Sequence, residues 1–251
     1  MSMNYLSNRI IEKFGGKEFF SREELFAFFK EFEPNLNKNT FGWRIYDLKS
    51  KNIIKSIRRG VYSISSKPVF KPVINRKIKH LGKIISNKFN TKNYSIWNTS
   101  WLNEFIIHQT TKNLTILEID KSIVEPVFFY LKDNNYKNIY MNPKENIMDH
   151  YVSEEYEVLI VNPLITRAPT QKIESIKVPT LEKILVDVFC DKVTLYSYKG
   201  EELINIFDNA FNKYSINFSK LLYYVRRRKR ENSLKEFITN NFPKIIQEIS
   251  E

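Results

Sequence analysis

The sequence predicts a two-domain chain of the α+β/α/β class. A winged helix-turn-helix is expected over residues 1–66, a basic linker and helix over 67–93, and a mixed α/β body over 94–251 that ends in a helical bundle. Three observations predict it. Apolar residues recur at helical spacing through the first fifty positions, and two short β runs around Arg58-Arg59-Gly60 follow at once. Further on, apolar runs of strand length flank an amphipathic segment. After "ESIKVPT" the apolar spacing becomes helical again.

The elements follow in order. Leu6, Ile10, Ile11 and Phe14 mark a first helix, which Gly15-Gly16 stop. Ser21 stands three residues before Glu24, the spacing of a capping box, and Leu25, Phe28, Phe29 and Phe32 form the stripe of a second helix up to the break at Pro34. Past "EPNLNKN", a third helix places Phe41, Ile45 and Leu48 on one face. At about 100° per residue, Asn39, Trp43, Tyr46 and Ser50 point the other way, with Thr40 and Arg44 on the flanks. "NIIKSI" and "GVYSI" are then two β runs joined through Arg58-Arg59-Gly60, where glycine supplies the positive φ of a tight hairpin.

"SSKPVFKPVINRKIKHLGKIISNKFNTKN" opens with two prolines, as a linker does. It continues as a helix with Val73, Ile74, Ile78, Leu81, Ile84 and Ile85 apolar, and Arg76, Lys77, Lys79, Lys83 and Lys88 around the other sides. In the body, "NLTILEID" and "YEVLIVNPLI" read as buried strands, "KNIYMNP" as a shorter strand and "SIVEPVFFYLKDN" as a helix. "TLEKILVDVFCDK", "GEELINIFDNAFNKY", "NFSKLLYYVRRRKR" and "SLKEFITNNF" supply the closing helices.

Charge is distributed unevenly. The net charge is +12, yet the chain up to Asp47 is balanced, with seven basic and seven acidic residues. From Leu48 to Asn103 there are thirteen Lys or Arg and no Asp or Glu. From Glu104 to Val225 the balance reverses, thirteen basic against seventeen acidic, and the tail from Arg226 carries seven against four. Abundant lysine has a simple explanation in base composition, but fifty-six residues without an acid do not, and such a segment points to a polyanion as partner. On this geometry Asn39, Thr40, Trp43 and Arg44 are the candidate base readers, while Lys38, Lys55, Arg58 and Arg59 position the phosphates of double-stranded DNA. Trp43 has a second reading, as a packing residue of a protein-interaction module. Arg226, Arg227, Arg228, Lys229 and Arg230 surround their helix instead of forming one face. They read either as a further basic contact or as stems that cover a helix–helix seam.

Other chemistries lack their residues. Cys190 is the only cysteine, and His80, His108 and His150 are scattered, so neither a disulfide nor a zinc-ligand cluster is expected, and no cofactor. A Mg²⁺-dependent nuclease would draw on Glu118, Asp120 and Lys121, but their spacing departs from the Asp followed by Glu-x-Lys that such a site uses. Phosphate-cradling glycine loops are missing from a chain with six glycines. With no apolar run of membrane-span length and no secretory h-region, a cytoplasmic, non-enzymatic protein is expected.

The N-terminal pattern "FSREELFAFF…NTFGWRIYDLKSKNIIKSIRRGVYSI", followed by "SIWNTSWLNEFIIHQ", "VNPLITRAP", "VPTLEKILVDVF" and "LLYYVRRRKR", resembles the AbiEi-type antitoxins and their relatives. The resemblance covers nearly the whole chain. It departs from the better-known antitoxins in its long body strands and in carrying "TSWLNEFIIHQ" where they have another segment. It implies a type IV antitoxin and autorepressor that binds inverted repeats of its own promoter, as two copies on DNA. It also implies a C-terminal domain that counters a nucleotidyltransferase toxin, with a role in phage defence.

Overall fold

The computed structural model describes residues 3–17, 19–51, 53–65, 67–107, 113–150 and 157–245. The fold is mixed α/β, and the chain separates into two compact units. One comprises Met1–Val69 with Lys213–Phe218 and Lys235–Glu251; the other comprises Phe70–Asn212 with Ser219–Leu234.

In the first unit, α1 (Met3–Phe14), β1 (Phe20–Ser21), α2 (Arg22–Phe32) and α3 (Lys38–Ser50) precede β2 (Ile54–Arg58) and β3 (Val61–Ile64). The Ser21 side chain accepts from the Glu24 N–H at 3.0 Å, and the Glu24 carboxylate accepts from the Ser21 N–H at 2.7 Å. Two of the N–H groups that a helix start leaves unpaired are thereby satisfied. Asn37 caps α3 in the same way, accepting from the Thr40 N–H at 2.8 Å. The apolar stripes of the three helices meet around Leu6, Ile10, Leu25, Phe29, Phe41 and Leu48, all buried. β2 and β3 pair antiparallel with a register shift between Ser56 and Arg58, and Gly60 turns the chain at φ +77°. β1 adds a third strand on the other side of β3, which the sequence reading lacked.

In the second unit, β4 (Tyr94–Asn98), β5 (Asn113–Ile119), β6 (Ile139–Met141) and β7 (Glu157–Pro163) form a sheet ordered β4-β5-β7-β6. β4 runs antiparallel to β5, whereas β5 and β6 are parallel to β7. Leu117, Ile119, Leu159 and Val161 pack with Ile78, Leu81 and Ile85 of α4 (Arg76–Lys88) and Val127 and Leu131 of α5 (Val124–Asp133). The helix read from sequence as part of a linker is therefore built into this core, although Val73 stands outside it and is 88% exposed. Val158 and Ile160, on the opposite face, pack with Met148 of α6 (Glu145–His150). The antiparallel pair β8 (Thr170–Ile173) and β9 (Ile176–Pro179) leads into α7 (Leu181–Cys190). α8 (Glu201–Lys213) and α9 (Phe218–Arg227) follow, and α10 (Glu231–Asn241) passes at Lys235 into the first unit. No helix among the described residues is long and apolar enough to cross a membrane.

Candidate nucleic-acid interface

Burial of Phe41, Ile45 and Leu48 fixes which way α3 faces. The helical period then leaves Lys38, Asn39, Thr40, Trp43, Tyr46 and Ser50 exposed. Trp43 and Tyr46, one turn apart, are 72% and 66% exposed and meet edge to face at 5.9 Å between ring centres. They are the two most exposed aromatic side chains among the described residues.

Arg44 is placed differently from the rest of the candidate readers. Its Nη2 donates to both Glu33 carboxylate oxygens, at 3.0 and 3.3 Å, and the pair is about two-thirds withdrawn from solvent. Glu33 is the residue that ends α2. The guanidinium thus ties the end of α2 to α3 instead of standing on the exposed face, a tertiary partnership across eleven residues that helical phase alone does not reveal. Asp47 is likewise occupied, accepting from Lys51 Nζ at 2.7 Å. The two carboxylates near α3 are therefore each neutralised by a cation of the same unit.

In the hairpin, Lys55 lies on β2 opposite Ser63, and the Arg58 backbone faces Val61. Arg59 is exposed at the turn. The Arg58 and His150 side chains, and His108 altogether, lie outside the described residues. Lys49 sits over the ring of Tyr62, 6.0 Å from its centre, which brings one more cation of α3 onto the hairpin.

The Arg226–Arg230 run divides. Arg226 makes a two-pronged pair with Glu231 at 2.6 and 2.8 Å, Arg227 donates to the Thr166 hydroxyl, and Arg228 reaches inward to Asp187 Oδ1 at 3.3 Å. Lys229, in the left-handed region at φ +56°, and Arg230 are exposed.

Arg228 leads to a constellation that sequence reasoning missed. The Lys183 ammonium is fully buried, donating to Glu118 of β5 and, at 2.5 Å, to Asp187 one turn along α7. The Tyr224 hydroxyl donates to Asp187 at 2.9 Å. Two cations and two carboxylates make the group neutral in formal charge, as burial demands. Burial pushes the Glu118 carboxyl up to about 7, with Lys183 opposing, whereas Asp187 and Glu118 hold the ammonium charged against the cost of its burial. Glu118 lies across the sheet from Ser95 of β4 and Asn162 of β7, and Ser95 Oγ and Asn162 Oδ1 are buried with no protein partner. The candidate metal ligands of the sequence reading therefore diverge. Glu118 is committed to Lys183, while Asp120 caps the turn after β5, accepting from the Ser122 N–H at 3.1 Å. Among the described residues no three His, Cys, Asp or Glu side chains gather as metal ligands.

Residues 40–244 match DUF6577, a family of unknown function. The chain belongs to that family. Its span opens within the first turn of α3 and takes in the hairpin and the whole buried network, while α1 and α2 precede it. The comparison with curated proteins gives no match.

Proposed function

We propose that this protein is a DNA-binding autorepressor and antitoxin of the type IV, AbiE-like kind, without catalytic activity of its own. In this reading α1 through β3 are a winged helix-turn-helix, with α3 as the reading helix and the β2–β3 turn as the wing. Two copies bind inverted repeats in duplex DNA at the protein's own promoter. The second unit neutralises a nucleotidyltransferase toxin.

The observation that supports DNA binding best is the acid-free stretch from Leu48 to Asn103, which starts in α3 and runs through the hairpin. The pairing of Glu33 and Asp47 with cations adds to it, since no bare carboxylate of α3 or the α2 end is left to repel phosphate. The antitoxin role rests on the resemblance of the body segments, "VPTLEKILVDVF" above all.

A mobility-shift titration against the native upstream duplex and a scrambled control, at two salt concentrations, tests the DNA part. Asn39→Ala is expected to narrow the difference between the two duplexes, at about 1–3 kcal/mol for a lost base contact. Arg59→Ala is expected to weaken both alike and to flatten the salt dependence by roughly one unit of slope. Equal binding of both duplexes, unaffected by either substitution, would overturn the reading. The antitoxin part is tested by co-expression with the product of the adjacent gene: rescue of growth supports it, and unrelieved toxicity sinks it. A second reading, a protein-interaction module, is favoured by the exposed Trp43–Tyr46 pair. It predicts a complex with that product which forms without DNA.

A further inference from the structure

The exposed face of α3 offers paired bases one amide, that of Asn39 in its first turn, and offers unpaired bases a pair of aromatic rings. Base edges in a duplex are read by groups that donate or accept hydrogen bonds in a fixed plane, guanidinium and amide above all. On α3 the one guanidinium is held by Glu33, the amide of Asn39 stands in the first turn, and the middle of the open face is Trp43 with Tyr46. Trp43 meets Tyr46 edge to face one turn away, and its exposure leaves indole surface for a planar partner. Every nucleobase has such a face, but a duplex conceals it between neighbours. Stacking on an aromatic side chain therefore requires a base that is already unpaired or is displaced on binding. The charges around the pair suit this ligand. Lys38 precedes it on the same helix, Lys49 follows it, Arg59 stands at the hairpin turn, and the carboxylates of Glu33 and Asp47 are neutralised.

We infer that the exposed face of α3 binds DNA bearing unpaired bases: Trp43, steadied by Tyr46, stacks on an unpaired base while the basic residues of α3 and the hairpin hold the flanking phosphates. This rests on the nucleic-acid reading above and narrows it, because it names the state of the DNA that α3 prefers. Duplex binding through phosphates remains, and an unpaired base adds to it.

The test compares three fluorescein-labelled probes of one sequence by anisotropy: a perfect duplex, the same duplex with a central three-nucleotide bubble, and the single strand. The full chain is used as wild type, Trp43→Ala, Trp43→Phe and Tyr46→Ala. Both positions are exposed, so these changes leave the apolar core intact, and circular dichroism checks that each variant is folded. Wild type is expected to bind the bubble and the single strand about tenfold more tightly than the duplex, the scale of one base–aromatic stack. Trp43→Ala should abolish that ratio, Trp43→Phe should keep part of it and Tyr46→Ala should reduce it. Tryptophan emission gives an independent readout. Trp97 is buried and Trp101 partly so, hence quenching by the bubble probe should arise mainly from Trp43 and vanish in Trp43→Phe. A ratio near one in wild type, or a ratio untouched by Trp43→Ala, would overturn the inference while leaving duplex binding standing. Failure of all three probes to bind would overturn it together with the nucleic-acid reading.

Discussion

Lys183 holds a charge out of reach of water, and its surroundings explain why it remains charged. Removing it strands Glu118 and leaves Asp187 to Tyr224 and Arg228 alone. Lys183→Met, close in volume, should therefore cost about 3–5 kcal/mol in denaturant-unfolding free energy, the range for breaking one side of a buried ion pair. The partner gives a separate prediction in pH. The Glu118 carboxyl titrates near 7 in the folded chain, above its ordinary value of 4.5, because burial disfavours the anion. Between those two pH values the folded state holds a proton that the unfolded state has released. Glu118's contribution to stability is therefore fully present below about 4.5 and is lost as pH rises to about 7. Asp120 and Glu24, whose values are lowered, act in the opposite sense and at more acid pH. The stability of wild type relative to Glu118→Gln should accordingly decline from pH 4.5 to 7 in urea titrations. A difference that stays flat across that window would mean that Glu118 is ionised throughout it.

At the level of elements, α4 packs against β9 through a glycine. A Cβ at Gly82 would lie 2.7 Å from Ile176 Cδ1 and 3.0 Å from its Cγ2, and Ile176 is itself buried. Gly82→Val should therefore destabilise the chain by about 1–3 kcal/mol through overpacking, despite valine's gain over glycine in backbone entropy, and a thermal melt would register it. That contact was not legible in the sequence, where Gly82 is only an interruption in a basic helix. What was legible is what local chemistry decides: the Ser21–Glu24 capping box, the stripes of α1 to α3, the glycine turn of the hairpin and the four closing helices. β1 is two residues long and exists because β3 offers it hydrogen bonds, so no periodicity announces it. β4 is buried along its whole length and lacks the alternation that marks a half-exposed strand. The network around Lys183 left one trace, an i,i+4 Lys and Asp within a largely apolar helix. Its other members come from β5, from α9 and from the turn after α9, which only folding brings together. The Arg44–Glu33 pair was hidden for the same reason, because Glu33 stands at the end of another helix.

Over the whole molecule, formal charge overstates the surface that a polyanion would meet. Of the cations in the acid-free stretch, Lys51 is matched by Asp47, Lys77 by Glu157 and Lys79 by Glu174. In the C-terminal run Arg226 is matched by Glu231 and Arg228 by Asp187. Acids from outside the stretch thus offset part of the field that its lysines carry. Exposed pairs such as Lys77–Glu157 contribute little to stability, yet the carboxylate still offsets the field that a phosphate would feel. The salt dependence of DNA binding separates the two kinds of cation. Each phosphate neutralised contributes about 0.9 to the slope of log K against log salt on duplex DNA. Arg59→Ala should lower that slope by about one, whereas Lys77→Ala and Lys79→Ala should change it by much less. Equal losses from all three would mean that the basic surface extends over α4 and that its acidic neighbours give way to DNA. A loss confined to Arg59 would locate the contact on the hairpin turn.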